Sequence, residues 1–286
     1  MTRICTLTAG LGLTLLGLAL AISAAAAPAA DDDDGHGAKM AAAIDTAWRT
    51  DEQKARDAYR HPAQTLAFFG IRPDMTIVEL NPGGGWYTNI LAPMVKDAGR
   101  YIGVEYDPRI WAEDFPSFAE RLKTYPDTVK ADPDKFGADA HATWILDGDI
   151  APDGSVDMVL GIRFAHNWIR KGFADQALAK LYRAMKPGAT FAVVQHRARE
   201  DDPRPPAELA ATGYVKQSYM VELMETHGFE LVAASEVNAN PKDTKDHPSG
   251  VWTLPPVLAL GDQDKARYLA IGESDRMTLK FAKPAG

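Results

Sequence analysis

The run Glu79-Leu80-Asn81-Pro82-Gly83-Gly84-Gly85-Trp86-Tyr87 carries the strongest chemical signal in this 286-residue chain. It stands between an apolar, β-branched stretch and a stretch of helical spacing expected to begin near Trp86. Glycines at a strand-to-helix turn let the backbone approach a ligand closely, and the first such turn of a doubly wound sheet opens on the cofactor crevice. Twenty residues past Gly85, Glu105 ends the next apolar run in Val104-Glu105-Tyr106-Asp107, where a carboxylate can accept from both hydroxyls of a ribose. A dinucleotide fingerprint would place a third small residue three positions past Gly85, but Thr88 stands there, and no phosphate-binding Gly-Lys-Ser/Thr follows. A glycine turn without a ligand is the bland alternative, and Glu105 is the residue that weighs against it.

A second group of polar residues follows two later apolar runs, in Arg163-Phe164-Ala165-His166-Asn167-Trp168 and in His196-Arg197. Ligands of open α/β sheets bind beyond the carboxyl ends of the strands, so two histidines, two arginines and an asparagine converge on one rim. Histidine suits proton transfer near neutral pH. Each of these side chains could instead satisfy buried backbone or a surface carboxylate, and their grouping is what points to a site. His36, His141, His227 and His247 read as surface or loop residues. No His-Glu-x-x-His or comparable paired spacing occurs, so no metal site is expected.

The elements that must position these groups follow from periodicity. Residues 39–69 have helical spacing, interrupted near 49–51 and at Pro62. Apolar, β-branched runs at 76–80, 101–106, 143–146, 157–162 and 190–195 then alternate with helix-length segments, which predicts βαβ units and a mostly parallel sheet. In one segment Ala177, Leu178, Leu181, Ala184 and Met185 form a stripe that Lys186-Pro187-Gly188 ends. After a helix at about 215–226, sixth and seventh strands are expected at 229–237 and 277–282. The intervening stretch 238–274 is too long for a turn and has room for a short helix near 263–271.

The segments "VELNPGGGWYTNILAPMV", "PDGSVDMVL", "LYRAMKPGATFAVV", "GFELV" and "DRMTLKFAKP" resemble the successive landmarks of class I S-adenosylmethionine-dependent methyltransferases. The likeness runs over nearly all of residues 38–286. It implies an α/β, Rossmann-like doubly wound sheet of seven strands, mostly parallel, with helices on both faces and the seventh strand inserted antiparallel between the fifth and sixth. More narrowly, "RDAYRHP", "PGGGWYT", "RFAHNW", "VVQHRA" and "GVWTLPP" resemble a family of exported predicted methyltransferases of proteobacteria. The class usually has glycine where Asn81 stands, and asparagine tolerates unusual backbone angles better than most residues.

The resemblance implies S-adenosylmethionine as cofactor, with Gly83 and Gly85 lining its methionine part, Glu79 holding the ammonium side, Glu105 the ribose, and Asp147 or Asp149 the adenine amino group. Asn81 belongs to the same turn, and Trp86 and Tyr87 are candidates for contact with the sulfonium, although aromatics at a helix start are more often core. Arg60 and His61 belong to the narrower resemblance and would fold over the site. Methyl transfer is an in-line displacement that needs an aligned nucleophile and often a base. His166 and His196 are the candidate bases, Arg163 a clamp for substrate or cofactor, and Asn167 a further member of the rim. The acceptor implied is a small-molecule or peptidyl nucleophile. A non-catalytic exported binding protein on the same fold is the rival reading, and Thr88 disfavours a nicotinamide-dependent oxidoreductase.

Residues 1–30 read as an export signal: Arg3 is their only charge, residues 7–22 are apolar and the small residues 23–27 follow, with cleavage expected near Ala26. If uncleaved, the run 4–30 is long enough to anchor the chain in a membrane. Periplasmic location is the expectation. Cys5, the sole cysteine, falls within this segment, so no disulfide or thiolate chemistry is expected of the mature part. Without Arg3, 30 basic residues face 39 acidic ones, a formal charge of −9 that argues against a nucleic-acid partner. Residues 31–37, with four consecutive aspartates, read as a solvated acidic spacer before the domain at 38–286. Nothing in the pattern indicates an oligomeric state.

Overall fold

Seven runs of apolar and β-branched residues pair into one sheet in the computed structural model, which describes residues 35–286. They are β1 (Thr76–Leu80), β2 (Arg100–Glu105), β3 (His141–Trp144), β4 (Val156–Ile162), β5 (Met185–His196), β6 (Glu230–Ser235) and β7 (Arg276–Ala282). Their order is β3-β2-β1-β4-β5-β7-β6. β1 pairs in parallel with β2 and β4, as do β2 with β3 and β4 with β5, whereas β7 runs antiparallel to both β5 and β6. The fold is therefore the expected Rossmann-like sheet, with the antiparallel strand in the expected place. Strand order reverses direction at β1, and the loops after β1 and β4 part there to open a crevice.

The sheet is apolar on both faces. On one, Val78, Leu80, Ile102 and Val104 pack against Trp168, Leu178, Leu181 and Phe229. On the other, Ile77, Tyr101, Met158 and Leu160 pack against Leu66, Phe69, Ile90 and Leu91. Helix Ala174–Ala184 shows how sequence period becomes burial: Ala177, Leu178, Leu181 and Ala184 are all 2% exposed or less, and Met185 carries the stripe into the start of β5.

The helical lead-in comprises His36–Ile44, Asp51–Ala55, Asp57–Arg60 and Pro62–Phe69, broken at the expected positions. Thr50 caps the second helix by accepting from Gln53 N, and His61, at φ 41°, turns the chain before Pro62. The first helix takes in His36 and Gly37, which the sequence placed in the acidic spacer. The export segment 1–30 and the aspartates 31–34 lie outside the described residues.

Boundaries differ from expectation at the glycine turn and at β3, and β5 starts at Met185, earlier than the expected 190. The helix after the glycine turn begins at Thr88, leaving Trp86 and Tyr87 in the turn, because Trp86 is drawn back onto the lead-in by its Nε1 bond to Gln53 O at 2.9 Å. β3 stops at Trp144, and residues 146–149 turn outward. The long connection before β7 holds the expected short helix, Lys265–Ile271, preceded by the 3₁₀ turn Gly250–Thr253, and Val251 N on Thr212 O docks it to the rim. His247, expected at the surface or in a loop, lies in this loop but is buried and bonded to Asp243 at 2.9 Å. Asp243 also accepts from Tyr214 and from Asp275 N, so this buried carboxylate ties the connection to the sheet.

Candidate functional site

Asn81 follows β1 with φ 50°, and Gly83 and Gly85 follow at φ 57° and 72°. Three left-handed residues in five make a sharp turn that presents Gly83 and Gly84 to solvent. A side chain at Gly84 would meet nothing within 4 Å, so the backbone there borders open space. The asparagine is tolerated because its side chain is anchored: Asn81 Oδ1 accepts from Trp168 Nε1 at 3.2 Å, while Nδ2 is buried without a partner.

Glu105 reaches this turn from the end of β2. Its Oε1 accepts from Gly83 N at 2.7 Å and its Oε2 from Tyr106 N at 3.2 Å, with the residue 2% exposed. Burial holds its carboxyl above the usual range despite those two donors. Glu79 lies one layer deeper, where Oε2 accepts from Thr88 Oγ1 at 2.8 Å and Tyr101 OH at 2.7 Å. Burial pushes its pKa up to about 7.

Past β4 the chain enters helix Ala165–Lys171, which brings His166 and Asn167 to a cavity of about 590 Å³. Tyr106, Trp111, Phe118 and Trp252 give that cavity aromatic walls. Asn167 Nδ2 donates to Tyr106 OH at 2.8 Å and its Oδ1 accepts from Arg170 Nε at 3.0 Å, so its amide is fixed. His166 and His196 lie with ring centroids 5.8 Å apart. Burial, with the Arg163 charge nearby, pulls His166 down to about 3 and His196 well below its ordinary value. Both rings are therefore neutral at pH 7, and His196 Nδ1 is hydrogen-bonded to Ser274 Oγ.

The fold recurs in solved structures. A candidate sarcosine dimethylglycine methyltransferase from Galdieria sulphuraria superposes with a TM-score of 0.51 at 13% identity, covering 82% of this chain and 87% of that one. A SAM-dependent methyltransferase from Aquifex aeolicus gives 0.48 at 15%, covering 86% and 98%. The fold is that of class I methyltransferases. No protein-family model matches the sequence, and no curated protein does.

The residues at the turn could hold an adenosyl cofactor. Glu105 keeps a lone pair on each oxygen beyond its backbone donors, and the backbone at Gly83 and Gly84 leaves room for a ligand. Asp147 is exposed beyond β3, where adenine would end, whereas its competitor Asp149 pairs with Arg183 at 3.1 Å. Trp86 stands apart from this surface. It is 6% exposed, with the guanidiniums of Arg49 and Arg60 over its ring at 4.8 and 4.6 Å, as core of the lead-in contact. Tyr87 is buried against it.

The structure separates the two rim arginines. Arg197 is spent on Asp275 and Glu236, at 3.0 and 2.7 Å, and does not join His166. Among the described residues Arg163 makes no hydrogen bond or ion pair through its side chain, and it stands near Arg60 and Arg276. Arg60 is buried over the Trp86 ring and bonds Glu273 at 3.2 Å, and His61 lines a smaller cavity of about 190 Å³ with Glu273, Ser274 and Arg276. Sequence reasoning missed Tyr106, Trp252, Glu273 and Arg276. Tyr106 adjoins Glu105 and was within reach of the same motif, but the others depend on a loop whose path no periodicity reveals.

Proposed function

We propose that the protein transfers a methyl group from S-adenosylmethionine to a small-molecule or peptidyl nucleophile. One observation carries this reading: Glu105 is buried at the mouth of an open glycine turn, bonded to Gly83 N, at the switch point of a class I methyltransferase sheet. Glu79 would take the ammonium side through Oε1, Glu105 the ribose, Asp147 the adenine amino group, and Asn81, Gly83 and Gly85 the methionine part. The aromatic cavity beside Asn167 and His166 would receive the acceptor.

His166 is suited to orienting that acceptor, since a ring with pKa about 3 is a weak base at neutral pH. His196, which burial also holds well below its ordinary value and which bonds Ser274, is a weak base by the same argument. An exported, periplasmic location is part of the proposal, and N-terminal sequencing tests it: a mature start between Ala24 and Asp31 supports export with cleavage, and an intact Met1 in the membrane fraction supports an anchor.

A non-catalytic binding protein would share the crevice. Calorimetric titration of S-adenosylmethionine, S-adenosylhomocysteine and NAD separates the readings. Binding of the first two but not the third is expected, and transfer of label from radioactive cofactor to a periplasmic extract then distinguishes enzyme from binder.

A further inference from the structure

Positive charge gathers around Glu273 in excess of what the fold uses. Arg56 Nε, Arg60 Nε and Arg276 Nη2 all bond this one carboxylate, at 2.7, 3.2 and 3.0 Å. Arg163 stands beside them with its Nε buried and unpartnered, and Arg60 Nη2 and Arg56 Nη2 are buried without partners as well. Arg60 is 1% and Glu273 5% exposed, so water does not screen the group well. Four guanidiniums thus share one carboxylate. Trp86 takes the face of Arg60, but a ring quadrupole is no substitute for a counter-ion.

Unpaired buried cations are strongly unfavourable, and a fold that keeps them has an anion in view. Arg163 is also held against its preference: φ is 58°, and its N–H is committed to Val194 O at 2.7 Å. The location puts the anion at the crevice between β1 and β4, beside the two rim histidines. β1 and β2 carry the glycine turn and Glu105, Arg163 follows β4, the strand paired with β1, and so borders that turn, and Arg276 opens β7, two strands beyond β4. Arg163 is close enough for its charge to act on both His166 and His196, and His166, unlike these arginines, lines the cavity meant for the acceptor.

We infer that Arg163, backed by Arg60 and Arg276, holds an oxyanion of the methyl acceptor, so that the acceptor is a molecule bearing a carboxylate or phosphate. That the anion belongs to an acceptor rests on the methyl-transfer reading; that an anion binds here does not.

Inorganic phosphate is the probe. At constant ionic strength it should raise the thermal midpoint of the wild-type protein, and Arg163→Gln should weaken that response by about ten-fold or more, as expected for loss of a charge-assisted hydrogen bond. Arg163→Lys, which keeps the charge but not the planar fork, should fall between. Without phosphate, Arg163→Gln should melt at or above the wild-type temperature because it relieves like-charge repulsion. A clear drop, or a phosphate response indifferent to Arg163, overturns the inference. The titration is then repeated with saturating S-adenosylhomocysteine and with 5′-methylthioadenosine, which lacks the amino-acid part. An undiminished phosphate response in both supports an acceptor's anion. Loss of the response with S-adenosylhomocysteine alone means that the arginines serve the cofactor's own carboxylate, and the inference falls. If neither adenosyl compound binds while the Arg163-dependent response persists, the methyl-transfer reading fails and the anion site stands.

Discussion

Gln195 Nε2 donates to His166 Nδ1 at 3.3 Å and to Gly213 O at 3.0 Å. The carbonyl admits only a donor, which fixes the orientation of the amide and leaves His166 Nδ1 as an acceptor. The imidazole proton is therefore on Nε2, and a ligand in the aromatic cavity meets a donor.

The tautomer is directly observable. Nitrogen-15 NMR of the ring should show the Nε2–H form, unchanged between pH 5 and pH 8, since the folded pKa lies near 3. Below the ordinary value of 6.5 the unfolded chain takes up a proton that the folded protein refuses, so this group makes stability fall as pH drops from about 6.5 toward 3. His166→Gln should flatten that acid limb in thermal melts from pH 7.5 to 4.5. With an acceptor in hand, the same variant should retain methyl transfer within a few-fold if His166 donates, whereas a base role would cost about 10²-fold or more.

Glu79 works in the opposite direction. Its pKa rises from 4.5 to about 7 on folding, so the folded protein binds the proton more tightly than the unfolded chain. Its contribution is most favourable below pH 4.5 and is lost as pH rises through about 7. Glu79→Gln keeps an acceptor for Thr88 and Tyr101 and should raise stability above pH 7 by up to about 3 kcal/mol, with little effect at pH 4.5. Parallel melting curves for variant and wild type across this range would refute the buried, unpaired carboxylate.

Glu105→Gln should weaken S-adenosylhomocysteine binding about ten-fold or more at pH 7.5 without unfolding the protein, because a neutral amide loses charge-assisted acceptance from the ribose. Since burial raises the Glu105 pKa, wild-type affinity should decline as the pH is lowered toward it, and the variant's should not. Calorimetric titration of both proteins at several pH values reads the two effects together.

Asn81 tests the turn itself. Alanine at φ 50° bears the left-handed cost of about 1–2 kcal/mol and also loses the bond from Trp168, so Asn81→Ala should be clearly destabilised. Asn81→Gly loses the same bond but escapes the strain, and its melting temperature should lie between alanine and wild type or match the wild type. Equal losses for alanine and glycine would mean that the bond, not the backbone, matters there.

What the sequence determined by itself is local. A period of two or of nearly four residues places Val78 and Leu80 on one face of a strand, and Leu178 and Leu181 on one stripe of a helix, because each depends only on neighbours along the chain. The glycine turn and Glu105 were legible for the same reason, each standing at the end of its own strand; the antiparallel β7 came from family resemblance, not from period. The tertiary structure alone decided which polar groups meet. Arg163 and Arg197 end adjacent strands and look alike in sequence, yet Asp275 neutralises Arg197 while Arg163 is left among cations. Trp252 reaches the cavity of His166, and Glu273 gathers Arg56 and Arg60, partners 217 and 213 residues apart, because the connection before β7 folds back over the rim. Pairings at such separations are set by the path of the chain through space, and charge type at a position carries no trace of that path.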